Sequence, residues 1–194
     1  ETVDTLISDA LAEPGNPEST PDPDPYIGSD GPVLSTRLGN AEGTWFEAYT
    51  ADDGYLAARK VLTSMTPAEV IEEVSKANLR GLGGAGFPAG RKWSFVPKET
   101  TKPKFLVVNA DEGEPGTFKD RYIMERDPHA LLEGMIISAY AIGSHKAYVY
   151  IRGEYFRSAD RLQRAIDEAY RQGWLGTNIQ ETGFDLDVVI HRGA

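Results

Sequence analysis

Residues 105–117 read FLVVNADEGEPGT, an apolar run that ends on a polar, glycine-punctuated loop. Phe105 to Val108 is compact and apolar, which predicts a buried strand. Working downstream, Asp127-Pro128 opens a helix that runs to about Ile142 and stops at Gly143. Residues 146–152, KAYVYIR, alternate and are rich in Tyr and Val, so they predict a second strand. Tyr155 to Gln172 predicts an amphipathic helix ended by Gly173, and residues 185–191, DLDVVIH, a third strand. Strands and helices alternating at this length imply an α/β layer with a largely parallel sheet.

Upstream, residues 54–65, GYLAARKVLTSM, predict a helix. Thr66-Pro67-Ala68-Glu69 then carries a capping residue, a proline at the first helical position and a carboxylate three residues beyond the cap. Val70, Ile71 and Val74 share one face, so Pro67 to Asn78 is expected to be helical. Residues 2–12 have the pattern of a short helix, and 13–32, EPGNPESTPDPDPYIGSDGP, have too few apolar groups to pack and suggest a disordered Pro/Asp-rich tail. The expected organisation is a mostly flexible extension over 1–45, a helical segment over 46–80 and a binding domain over 81–194.

The chain has 194 residues, 40% of them hydrophobic, as in ordinary globular proteins. No window approaches the length of a membrane span, and Glu1-Thr2-Val3-Asp4 lacks the basic and apolar regions of a signal peptide, so a cytoplasmic setting is expected. There is no cysteine, which excludes disulfides and thiolate-held metal clusters within these residues. The three histidines, at 129, 145 and 191, are too scattered for a metal site, and His129 at a helix start reads as structural. A net charge of -10 argues against nucleic-acid binding, although a local loop can still hold a nucleotide.

Two loops carry the chemistry. Residues 80–93, RGLGGAGFPAGRKW, include five glycines among fourteen positions, which lets a flat ligand or a phosphate approach the main chain. Arg91 and Lys92 add positive charge, while Phe87, Trp93 and Phe95 add rings able to stack. Gly81, Gly83 and Gly86 satisfy G-x-G-x-x-G, but a helix precedes them in place of a strand and Pro88 follows at once, so the ordinary dinucleotide motif fails on context. The competing view is a plain glycine-rich linker, which has no use for the aromatic residues.

The second loop follows the strand at 105, where α/β proteins bind ligands. Asn109 offers donor and acceptor groups, and Asp111, Glu112 and Glu114 offer acceptors, a set suited to a flavin edge or ribose hydroxyls. Paired carboxylates also fit a glycosidase or a magnesium site, and a solvated turn fits no ligand at all. The neighbouring glycine loop favours a flat heteroaromatic ligand. Tyr148, Tyr150 and Tyr155 are expected to pack on the sheet, and Arg121, Arg126 and Arg152 are candidates for contact with a partner.

Gly81 to Trp93, then Asn109-Ala110-Asp111-Glu112 and Glu114-Pro115-Gly116-Thr117, resemble the NADH-binding FMN flavoprotein subunit of respiratory complex I. The resemblance continues through DRYIMERDPHALLEGMIISAYAIG, YIRGEY, GWLGTNI and TGFDLDVVIHRGA and covers about residues 54–194. It implies a Rossmann-like FMN-binding domain in which Gly81, Gly83, Gly84, Lys92, Asn109, Asp111 and Glu112 contact FMN. It likewise implies that Gly84, Phe87, Phe95 and Glu114 contact NADH, with Phe87 and Phe95 flanking adenine and Glu114 near the nicotinamide. Hydride then passes directly between NAD(H) and FMN with no protein catalytic group.

The resemblance also implies iron–sulfur partners: a thioredoxin-like [2Fe-2S] subunit, an iron–sulfur peripheral-arm subunit, and a [4Fe-4S] cluster in sequence beyond His191-Arg192-Gly193-Ala194. On this view the chain is truncated, carries about half the cleft, and associates with a membrane only peripherally through the complex. Leu82 stands where many relatives have Arg, which keeps open a diaphorase subunit of a formate dehydrogenase or NAD-reducing hydrogenase. A non-catalytic nucleotide-binding or assembly module is the reading from another class.

Overall fold

Three strands, β1 (Leu106–Ala110), β2 (Lys146–Ile151) and β3 (Asp187–Arg192), pair in parallel in the order β1-β2-β3. Leu106 lies opposite Ala147 and Ala147 opposite Val188, so one face carries Leu106, Val108, Ala147, Val149, Ile151 and Val188. The structure is a computed structural model that describes residues 35–82 and 85–193. From Arg37 onward the chain is one compact unit. The helix expected at 2–12 and the Pro/Asp-rich stretch at 13–32 lie outside the described residues, as do Gly83 and Gly84.

The connection from β1 to β2 carries helices α5 (Lys119–Arg126) and α6 (Pro128–Ile142), and that from β2 to β3 carries α7 (Phe156–Arg171). Before β1 stand α1 (Phe46–Ala51), α2 (Leu56–Ser64), α3 (Pro67–Lys76) and α4 (Ala89–Ser94). Leu132, Ile136 and Ala139 of α6 and Leu162, Ala165 and Ile166 of α7 bury against Ala147, Val149 and Ile151 in one core. Each large aliphatic side chain removed from water there contributes roughly 1.5–3 kcal/mol. Among the described residues, Phe105, Val107, Tyr150 and Val189 on the other sheet face are exposed.

The expected α/β architecture with a parallel sheet is what forms, and the long elements lie within two residues of their expected ends. Gly143 (φ 71°) and Gly173 (φ 71°) end α6 and α7 in the left-handed conformation that glycine adopts without strain. The Thr66–Glu69 capping box at the start of α3 is complete, with each residue's side chain bonded to the other's main-chain N–H. Among the described residues no helix is long and apolar enough to cross a membrane.

Beneath α6 and α7 lies a buried polar cluster. The Glu133 carboxylate, on α6, accepts the Tyr55 N–H and the Ala58 N–H at 2.9 Å each and the Tyr49 hydroxyl, so α6 caps the start of α2. His129 is fully buried, as a structural histidine should be. Its Nδ1 lies 2.9 Å from the Tyr55 hydroxyl and its Nε2 3.1 Å from Glu168. Burial lowers the pKa of the ring despite Glu168, so it is neutral at pH 7: Nε2–H donates to Glu168 and Nδ1 accepts from Tyr55.

Candidate functional site

Strand β1 ends at Ala110, and the loop that follows turns back through the N-terminus of α5. Asn109, the penultimate strand residue, accepts the Asp111 N–H on its carboxamide oxygen at 3.2 Å, which leaves its NH2 group available to a ligand. Asn109, Asp111, Glu112, Gly113 and Glu114 line one cavity of about 740 Å3 together with Thr117, Lys119 and Asp120. Leu82 of the glycine loop lines the same cavity. The two loops singled out in the sequence therefore face one space, at the carboxyl end of a parallel strand.

At Gly113 a Cβ would fall 2.5 Å from Asp111 Oδ2, so a side chain there would displace the carboxylate. Glu112 has a left-handed backbone (φ 44°), and its side chain is only 1% exposed. Its Oε1 accepts the Asp120 N–H at 2.6 Å, and its Oε2 accepts Arg121 Nε at 2.9 Å and the Arg121 N–H at 3.3 Å. Burial works against this charge, but the bonds from Asp120 and Arg121 outweigh it and hold the carboxyl below its usual range. The Glu112 side chain is thus committed to α5, whereas Asp111 and Glu114 line the cavity without an ion pair among the described residues.

The glycine loop is pinned at its base by Gly81 N–H to Phe87 O (3.0 Å) and Ala89 N–H to Leu79 O (2.8 Å). Helix α3 precedes it in place of a strand, as expected. A helix does follow, however: Pro88 serves as the N-cap of α4 and begins the helix in place of barring it. Gly90 of α4 has no room for a side chain, since a Cβ would fall 2.2 Å from Ser75 Oγ. Arg91 and Lys92 lie in the last turn of α4, and Lys92 is not among the residues lining the cavity.

The Phe87 and Phe95 rings stand 6.2 Å apart at 52°, with Arg91 5.9 Å from each centroid. A base lying between two rings needs roughly 7 Å, about twice a van der Waals contact, so these rings must part to flank one. A second cavity, of about 460 Å3 between α3, α4 and α6, is lined mainly by apolar groups such as Ile71, Trp93 and Val96. It offers no comparable set of acceptors.

Three side chains make contacts that residue type alone does not reveal. Arg121 turns inward to Glu112, with Nη2 2.9 Å from Thr117 O. Tyr155 packs against the core that backs the sheet and also places its hydroxyl on Arg121 and 3.4 Å from Glu112 Oε2. Arg126 is tied to Leu38 O at 2.7 Å. The sequence held one sign of this: Phe118, at the N-cap of α5, has no side-chain oxygen, so the helix had to be capped from elsewhere.

Residues 74–194 match the Nuo51 FMN-binding domain. The chain belongs to the Nuo51 FMN-binding domain family. It is 58% identical over 163 residues to the second F-type subunit of the NADH-quinone oxidoreductase of Rhizobium meliloti (strain 1021), covering 84% of this chain and 39% of the relative. It is 50% identical over 163 residues to the F-type subunit of the NADH-quinone oxidoreductase of Escherichia coli (strain K12), covering 83% and 37%. Among solved structures, an NAD+-reducing [NiFe]-hydrogenase in the H2-reduced state is similar at TM-score 0.58 and 41% identity, covering 66% of this chain and 21% of that one. The chain thus spans about two fifths of the length of the curated Nuo51 relatives it matches.

Proposed function

We propose that this chain forms one wall of an FMN site and takes part in oxidising NADH at the electron-input end of a respiratory NADH:quinone oxidoreductase. One observation carries the reading. In a member of the Nuo51 FMN-binding domain family, the glycine loop and the acidic loop line one cavity at the end of β1. The donor set fits a flavin: Asn109 supplies an amide NH2, Asp111 and Glu114 supply acceptors, and glycine at 113 leaves room for the Asp111 carboxylate.

The chemistry FMN supplies when bound is acceptance of hydride from reduced nicotinamide. The protein's part is positioning. Asn109 and Asp111 orient the polar edge of the ring, Gly81, Gly83 and Gly84 let the main chain approach it, and Lys92 offsets phosphate charge. Phe87 and Phe95 take the adenine once they separate, and Glu114 meets the nicotinamide end of the dinucleotide. Electrons leave to iron–sulfur centres of partner subunits, one of them thioredoxin-like, in a complex that holds the chain at a membrane without inserting it. The likeness to an NAD+-reducing hydrogenase supports a second reading, a diaphorase subunit, with the same cleft and a different electron partner.

The test is to titrate FMN into the complete subunit, monitor quenching of flavin fluorescence, and assay NADH:ferricyanide reduction. Saturable quenching with turnover is expected. Lys92→Ala should weaken flavin retention, and Glu114→Gln should alter KM for NADH while flavin content stays full. Wild-type protein that neither takes up flavin nor turns over NADH sinks the reading.

A further inference from the structure

We infer that Arg121 is a positioning residue, acting through Glu112 to fix the acidic loop in the shape that presents Asn109, Asp111 and Glu114 to the cavity. The inference rests on the flavin reading of that cavity.

Helix α5 starts without a local cap, because Phe118 offers no acceptor to the first-turn amides. The Glu112 carboxylate, upstream in the chain, takes both the Asp120 and Arg121 N–H groups. This closes residues 112–121 into a ring. Arg121 then locks it with a fork: Nε bonds Glu112 Oε2 at 2.9 Å, while Nη2 bonds Thr117 O at 2.9 Å and meets the Tyr155 hydroxyl. Tyr155 comes from the segment after β2, and its ring lies 4.8 Å from the Arg121 guanidinium carbon. A second tie inside the ring joins Thr117 Oγ1 to Glu114 O at 2.6 Å.

The clamp has a backbone consequence. Glu112 is held in a left-handed conformation that a non-glycine residue adopts only when its surroundings impose it. With the Glu112 side chain drawn onto α5, its neighbours Asp111, Gly113 and Glu114 line the cavity. Lysine at 121 would keep the charge but lose the fork that reaches carboxylate, carbonyl and hydroxyl together.

The groups facing Glu112 are Arg121, Tyr155 and the Asp120 main chain, with Lys119 paired to Asp120 and Glu125 acting on Arg121. The first measurement is the carboxyl-carbon NMR titration of Glu112 in the flavin-free 194-residue chain. Wild type should titrate below the ordinary carboxylate range, and both Arg121→Met and Arg121→Lys should move the midpoint up toward it. The second is FMN affinity in the complete subunit, where Arg121→Met should weaken binding about tenfold and Tyr155→Phe a few-fold. If Arg121→Met fails to fold, Arg121→Lys carries both measurements, since it keeps the charge and loses the fork.

Combining Arg121→Met with Glu112→Gln should cost little beyond either change alone, because both break one interaction. An unmoved Glu112 midpoint overturns the clamp. A moved midpoint with FMN affinity within about twofold of wild type overturns the positioning role. Wild-type protein without flavin affinity takes down the flavin reading instead, and is told apart because wild type, not the variant, has then failed.

Discussion

Glu133 sits in the apolar run LLEGMII, where a carboxylate looks out of place, yet it accepts two main-chain N–H groups at the start of α2 and the Tyr49 hydroxyl. Glu133→Ala should strand those donors and cost about 2–4 kcal/mol, read as a lower urea midpoint, with Glu133→Gln losing less. An alanine variant as stable as wild type would show that water replaces the carboxylate. The contrast with the acidic loop explains what was legible. Asn109, Asp111 and Glu114 were readable as cavity-lining groups because residue type and place after a strand suffice to put polar side chains there. The separate task of Glu112 was not, because its donors, Asp120, Arg121 and Tyr155, are assembled only by the turn of the chain. The inward turn of Arg121 was hidden for the same reason.

At the scale of elements, α3 was plain from its capping box, α6 and α7 from their length and terminal glycines, and α2 from its run of helix-forming residues. Helices α1 and α4, six residues each, and α5, eight residues, are too short to show a period and carry no side-chain cap bond. Packing makes them instead. The turn between α1 and α2 is an example: Gly54 lies so close to Tyr49 that an added Cβ would fall 2.2 Å from the ring and 2.4 Å from Tyr49 O. Gly54→Ala should therefore cost about 1–3 kcal/mol in denaturant unfolding, as overpacking against a fixed ring does. Unfolding at the wild-type midpoint would mean that α1 shifts freely against α2.

For the whole molecule, His129 links α1, α2, α6 and α7 through Phe46, Tyr55 and Glu168, with Tyr49 stacked on it and Asp127, Glu133 and Arg164 close by. Its folded pKa lies below the unfolded value near 6.5, so the unfolded chain takes up the proton first. The contribution is whole above about pH 6.5 and is lost as pH falls from there toward the folded pKa. Thermal melts between about pH 7.5 and 5.5 should show this decline, and His129→Gln should flatten it; an equal slope in both would place the proton elsewhere.

The open sheet face has a consequence for handling the protein. Parallel sheets are ordinarily covered on both sides, yet Phe105, Val107, Tyr150 and Val189 here meet water. The folded chain should therefore light up an environment-sensitive dye such as ANS at neutral pH, a response usually taken as a sign of partial unfolding. Val107→Thr with Val189→Thr should dim that glow while leaving the denaturation midpoint nearly unchanged. Brightness that persists in the pair would trace the stickiness to another surface.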